Sequence, residues 1–125
     1  MIELAIKNKL LARTQLTAIV SNRIYYPHLP QSVAYPCINF FLVSGPMHND
    51  VDIAYPRYQF DAFAATYAKT IEIISEIKKA LNKESGIWDG YNIIGIYFLN
   101  ELDVEEPANS ALFHRIVDFK VTYKD

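Results

Sequence analysis

A two-residue alternation over residues 111–123 limits the folds open to this chain more than any other feature. Phe113, Arg115, Val117, Phe119, Val121 and Tyr123 fall on one side of an extended backbone, and His114, Ile116, Asp118, Lys120 and Thr122 on the other. An α-helix would spread these apolar residues round its axis, whereas a strand gathers them on one face of a sheet. Arg57–Ala64 repeats the pattern: Tyr58, Phe60 and Ala62 point one way and Arg57, Gln59 and Asp61 the other, until Phe63 interrupts the polar side. Cys37–Ser44 is apolar on both sides and rich in β-branched and aromatic residues, as a well-covered strand is. Residues 91–99 (YNIIGIYFL) supply a fourth strand.

Between the second and third of these runs the period becomes helical. Thr66 is placed to cap a helix in which Tyr67, Ile71, Ile74, Ile77 and Leu81 form an apolar stripe, widened by Ile73 and Ala80 and opposed by Glu72, Glu76 and Lys79. Lys78, Lys79 and Lys83 gather at its end, where the helix dipole favours cations. Ile2, Ala5, Ile6, Leu10 and Leu11 predict a short N-terminal helix, with a second short turn over 15–20. The resulting order predicts an α+β fold: a mainly antiparallel four-stranded sheet with one long helix and N-terminal short helices packed on one face. With 125 residues, 51% of them hydrophobic, the chain has material for one core and reads as a single domain over 1–125. Helices on one side leave the other sheet face bare. Phe63, Ile116 and one side of 37–43 project there, and a neighbouring subunit is expected to cover them.

The connections hold the candidate chemistry. Residues 25–36 contain Pro27, Pro30 and Pro36 and form a loop; three Tyr-Pro pairs, at 26–27, 35–36 and 55–56, leave their isomers open. Residues 45–56 make a polar excursion longer than the usual two to five residues of a hairpin loop. Within it, His48-Asn49-Asp50-Val51-Asp52 offers imidazole and oxygen ligands but lacks the glycine and distal Glu of a calcium loop, so no metal is assigned. Residues 100–110 place Glu101, Asp103, Glu105 and Glu106 on one short connection. Acid–base catalysis would need a buried carboxyl there; a solvated, proline-containing connection instead predicts an electrostatic role.

Twelve Lys and Arg against fourteen Asp and Glu give a net charge of −2, too little clustered cation for duplex nucleic acid to be a main partner. Cys37 is the single cysteine and opens an apolar strand, where cysteine behaves as a small hydrophobe and not as a nucleophile; a reduced compartment is expected. The glycines match no phosphate-binding motif, and neither a signal peptide nor a membrane span is legible. No catalytic residue, cofactor or metal ligand is therefore assigned.

Four stretches taken together carry a family resemblance: Arg23-Ile24-Tyr25 before the proline-rich loop, Pro36-Cys37-Ile38-Asn39-Phe40, the run Gln59-Phe60-Asp61-Ala62-Phe63-Ala64-Ala65-Thr66-Tyr67 entering the long helix, and Arg115-Ile116-Val117-Asp118-Phe119-Lys120-Val121-Thr122-Tyr123. In order and spacing the chain resembles the tail completion, or tail-to-head joining, proteins of long-tailed bacteriophages and prophages. The resemblance implies a non-enzymatic protein that forms a sixfold ring at the head-proximal end of the tail tube, stops tube growth and joins tail to head. Its implied partners are further copies of itself, the tail tube protein and a head completion or connector protein. DNA would pass through the ring without sequence-specific binding, and no membrane is involved. The implied location is the virion tail or neck, with the host cytoplasm during assembly. Partner-contact candidates are Met47, His48, Asp50 and Asp52 in the excursion, Phe63 and Ile116 on the bare face, and Glu101, Asp103, Glu105 and Glu106. A head-side adaptor, or a small cytoplasmic ligand-binding domain or enzyme, remains the alternative.

Overall fold

The computed structural model describes residues 1–108 and 110–125. Its helices form where the apolar spacing is helical. α1 (Ile2–Leu11) buries Ile2, Ala5, Ile6 and Leu10, and α2 (Thr14–Val20) buries Leu16 and Val20. α3 (Tyr67–Leu81) starts at Thr66, whose hydroxyl accepts from the Lys69 backbone N–H at 3.2 Å. Its buried stripe is Thr70, Ile73, Ile74, Ile77, Ala80 and Leu81, so the helix sits rotated from the expected stripe and Ile71 stands 42% exposed.

The four expected strands are present as β2 (Cys37–Ser44), β5 (Arg57–Ala64), β7 (Tyr91–Val104) and β8 (Phe113–Lys124). They pair antiparallel in the order β2-β5-β8-β7. The sheet is mainly antiparallel, as expected, but neither purely so nor four-stranded. It has eight strands and is mixed, because β1 (Ile24–Tyr25) pairs parallel to β2 and β6 (Gly86–Trp88) extends β7. β3 (Met47–His48) and β4 (Ile53–Ala54) complete it within the 45–56 excursion. Two prolines explain these short pieces. Pro46 and Pro56 cannot donate to a ladder, so they divide one long hairpin into an inner pair, β2–β5, and an outer pair, β3–β4. The carbonyls still serve: Tyr55 N–H donates to Pro46 O at 3.0 Å and Val121 N–H to Pro56 O at 2.9 Å. The Tyr26-Pro27 and Tyr35-Pro36 bonds are cis.

The second correction concerns β7. It runs to Val104, five residues past its expected end at 99. Glu101 and Asp103 are therefore strand residues opposite Val117 and Arg115, and the connection to β8 shrinks to 105–112. Asn109, assigned to that connection from sequence, lies outside the described residues.

One apolar core joins the three helices to the sheet. Tyr58, Phe60, Phe119 and Val121 are fully buried in it, and Phe60 stacks on Phe40 at 5.1 Å while meeting Phe119 edge-on at 5.9 Å. Tyr58 carries its hydroxyl through the core to the Glu3 carboxylate on α1. Among the described residues no helix is long and apolar enough to cross a membrane.

Candidate functional site

Because all three helices pack on the Phe60 side, alternate residues of the central strands stand on a face that no helix covers. The register aligns them in rows across the sheet. Cys37, Phe63, His114 and Val104 form one row; Asn39, Asp61, Ile116 and Leu102 the next; then Phe41, Gln59, Asp118 and Asn100; then Arg57, Lys120 and Tyr97. The middle of this face is polar and tightly enclosed. Asn39, Asp61 and Asp118 are buried, and Arg57 forms an ion pair with Asp118. The apolar surface lies at the margins, where Val43, Leu102 and Leu99 are each more than 40% exposed and Tyr97 is 50% exposed.

Phe63 and Ile116, expected to be the bare apolar positions, are on this face but largely covered by their neighbours. Ile116 is 7% exposed, and Phe63 stacks on the His114 ring at 4.1 Å. His114 in turn bridges two carboxylates: its Nδ1 is 2.8 Å from Glu106 and its Nε2 3.2 Å from Asp61. Burial alone would lower the imidazole pKa, but hydrogen bonds and charge from Asp61 and Glu106 outweigh it and raise the pKa. Glu106 thereby anchors the 105–112 connection to the sheet.

Glu101 and Asp103 point to the helix side of β7, where cations meet them. Arg115 donates to Glu101 from Nε at 2.9 Å and from Nη2 at 2.7 Å, and it also binds Asp103. Lys78 on α3 donates to Glu101 at 2.8 Å, and the Tyr67 hydroxyl to Asp103 at 2.9 Å. Desolvation pushes the Glu101 pKa up, but Lys78 and Arg115 override it and hold the carboxyl below its ordinary value. Of the four clustered carboxylates only Glu105 lacks an ion pair or hydrogen bond among the described residues. The signal for a strand was present in the sequence: Glu101-Leu102-Asp103-Val104 alternates polar and apolar residues, as a strand does.

Met47, His48, Asp50 and Asp52 are exposed on the β3–β4 hairpin, remote in the chain from the acidic group and from Ile116. The structure thus distributes the ten candidates over three places: the projecting hairpin, the uncovered face, and the β7–β8 end of the sheet.

A family model for the tail completion protein gp17 matches residues 5–124, almost the entire chain. The chain belongs to that family. As a member of the tail completion family it is a structural protein of a phage tail. Its fold is also that of a solved chain in the virion of a native gene transfer agent particle, with a TM-score of 0.76 at 16% identity, covering 98% of this chain and 94% of that one. No curated protein matches the sequence.

In this tail completion chain the single cysteine is shut away. Cys37 is fully buried, and burial, opposed by the Arg23 charge, pushes its thiol up to about 11, so the thiolate nucleophile is scarce at neutral pH. Among the described residues no group of three or more His, Cys, Asp or Glu side chains is arranged to hold a metal ion. Ile94, Tyr97, Phe98, Leu99 and Leu102, which sequence spacing left out of the candidates, are the large apolar side chains that β7 exposes.

Proposed function

We propose that this protein closes into a ring at the head-proximal end of the tail tube, ends tube growth and offers a surface to the head connector. Family membership supports the setting, and the uncovered sheet face carries the ring. That face combines half-exposed Val43, Tyr97, Leu99 and Leu102 with three buried side-chain atoms that have no hydrogen-bond partner among the described residues: Asn39 Oδ1, Arg57 Nε and Asp118 Oδ1. Ring closure by a heterologous contact needs two different surfaces on each copy, and the projecting hairpin and the uncovered face are two such surfaces. The protein acts by shape and charge, without a catalytic step or a cofactor, in the virion neck and in the host cytoplasm during assembly.

The acidic end of the β7–β8 hairpin, reduced to Glu105 and the exposed side of Asp103, turns toward the DNA path. Carboxylates there repel phosphates within a Debye length of about 8 Å at physiological salt, so a passing strand does not stick. Imaging of tails assembled without this protein tests the reading. Overlong tails that fail to join heads are expected, and tails of normal length joined to heads would overturn it.

A further inference from the structure

The β3–β4 hairpin is held thinly to the rest of the molecule. β3 meets β4 through Met47↔Ala54 and His48↔Ile53, and β4 meets β8 through Ala54↔Tyr123. A two-stranded hairpin with so little behind it is marginally stable in water, which marks it as a segment that gains from an outside support. Its tip exposes Met47 and Val51 beside Asp50 and Asp52, and neither carboxylate takes part in an ion pair among the described residues. The tip thus presents two apolar side chains and two uncompensated negative charges.

A matching surface lies across β8 at the same level of the sheet. Tyr123 faces Ala54 of β4 on one flank and Ile93 of β7 on the other. Past Ile93 the outer edge of β7 is paired with no strand among the described residues, and Ile94, Tyr97 and Leu99 stand exposed along it. The Tyr97 ring lies down over Gly95: a Cβ at that glycine would come within 2.6 Å of the Tyr97 hydroxyl. The ring is therefore a flat platform. Lys120 Nζ sits 5.8 Å from its centroid, and Lys124 follows on the same face of β8. Neither lysine takes part in an ion pair among the described residues.

We infer that the β3–β4 hairpin of one copy docks on the Tyr97 platform of the next, with Met47 and Val51 against Tyr97 and Leu99, and Asp50 and Asp52 toward Lys120 and Lys124. This rests on the ring reading above and names the contact that builds the ring. The occupant is a second copy because the hairpin and the platform have opposite unpaired charges and lie at one height on opposite flanks of β8. A contact between two such surfaces repeats in a single direction and can close.

Charge reversal tests the contact. One variant carries Asp50→Lys with Asp52→Asn, the asparagine suiting the positive φ of 54° at that position; the other carries Lys120→Glu with Lys124→Glu. Circular dichroism melts establish that both fold, and sedimentation gives their mass with and without isolated tail tubes. Each variant alone is expected to lose the ring and sediment as a monomer, since its hairpin and platform then have like charges. An equal mixture is expected to recover the ring, because each variant's hairpin then meets an oppositely charged platform. Folded single variants that form rings like the wild type, or a mixture that stays monomeric, would overturn the inference while leaving the ring reading intact. A wild-type chain that stays monomeric both alone and on tubes would overturn that reading as well.

Discussion

Replacing Arg115 by Met tests whether the acidic end of β7 is a staple of the fold or merely a decorated surface. The methionine keeps the apolar stem and removes the guanidinium, which makes two hydrogen bonds to Glu101 and one to Asp103. Glu101 has a side chain only 17% exposed, so losing its main partner leaves a poorly hydrated carboxylate with Lys78 alone. Stripping a buried polar group of a partner costs about 1–3 kcal/mol. The Asp103 carboxylate is half exposed, and its share is small, about 0–1 kcal/mol. The expected loss is therefore about 2–3 kcal/mol, which a urea slope of about 1–3 kcal/mol per molar converts to a midpoint lower by roughly 1 M. A double-mutant cycle with Glu101→Gln isolates the pair, with an expected coupling of about 1–2 kcal/mol. Acid supplies an independent check. The Glu101 pKa is depressed on folding, so its contribution is present above the unfolded value of about 4.3 and lost as pH falls through the folded value. The variant's stability should fall less steeply in that acid range. A coupling indistinguishable from zero, with an unchanged midpoint, would refute the staple.

Three further outcomes follow from the same structure. Phe60→Ala removes a fully buried ring stacked on Phe40 and edge-on to Phe119 and should cost about 3–5 kcal/mol in denaturant unfolding; an unchanged midpoint would show the sheet register to be wrong. His114 has a raised folded pKa, so its contribution is full below the unfolded value of about 6.5 and is lost as pH rises through the folded value. His114→Gln should flatten stability across that window, and the protection of backbone amides in 105–112, corrected for the base catalysis of exchange itself, should fall with rising pH in the wild type only. Cys37, with its thiol near 11 and no exposure, should resist maleimide at pH 7 until denaturant opens the core; rapid labelling of the folded chain would contradict its burial.

The central architecture was readable because its signals are local and repeated. Arg57–Ala64 and β8 alternate over many residues, and Thr66 followed by spaced isoleucines marks α3 without ambiguity. What escaped depends on partners distant in sequence. β1 consists of two residues, Ile24 and Tyr25, whose extended form is set by the parallel neighbour Ile38–Asn39 and by the Ile38 N–H to Arg23 O bond of 2.9 Å. Glu101 and Asp103 read as a loop because acidic residues are poor strand formers; pairing with Val117 and Arg115 of β8 makes them a strand, and Arg115 and Lys78 compensate their charges. Likewise Ile116 reads as bare on one-dimensional spacing, but side chains in adjacent rows of the sheet enclose it. At the candidate surface, the hairpin's polar residues were visible as an overlong excursion, whereas the Tyr97 platform depends on two bulges in β7, between Ile93 and Gly95 and between Phe98 and Asn100, that a strict alternation cannot foretell.

The placement of β8 has a consequence for the timing of assembly. This strand lies between β5 and β4 on one flank and β7 on the other, yet the ribosome makes it after all of them. During synthesis the nascent sheet lacks its middle, Lys120 and Lys124 do not yet exist, and Ala54 has no Tyr123 to rest against. Neither of the surfaces through which copies would meet is complete until β8 has been inserted. On the proposed ring contact, chains crowded on one messenger would thus be kept from joining half-made, and the order of translation itself would work as a checkpoint that admits only finished subunits.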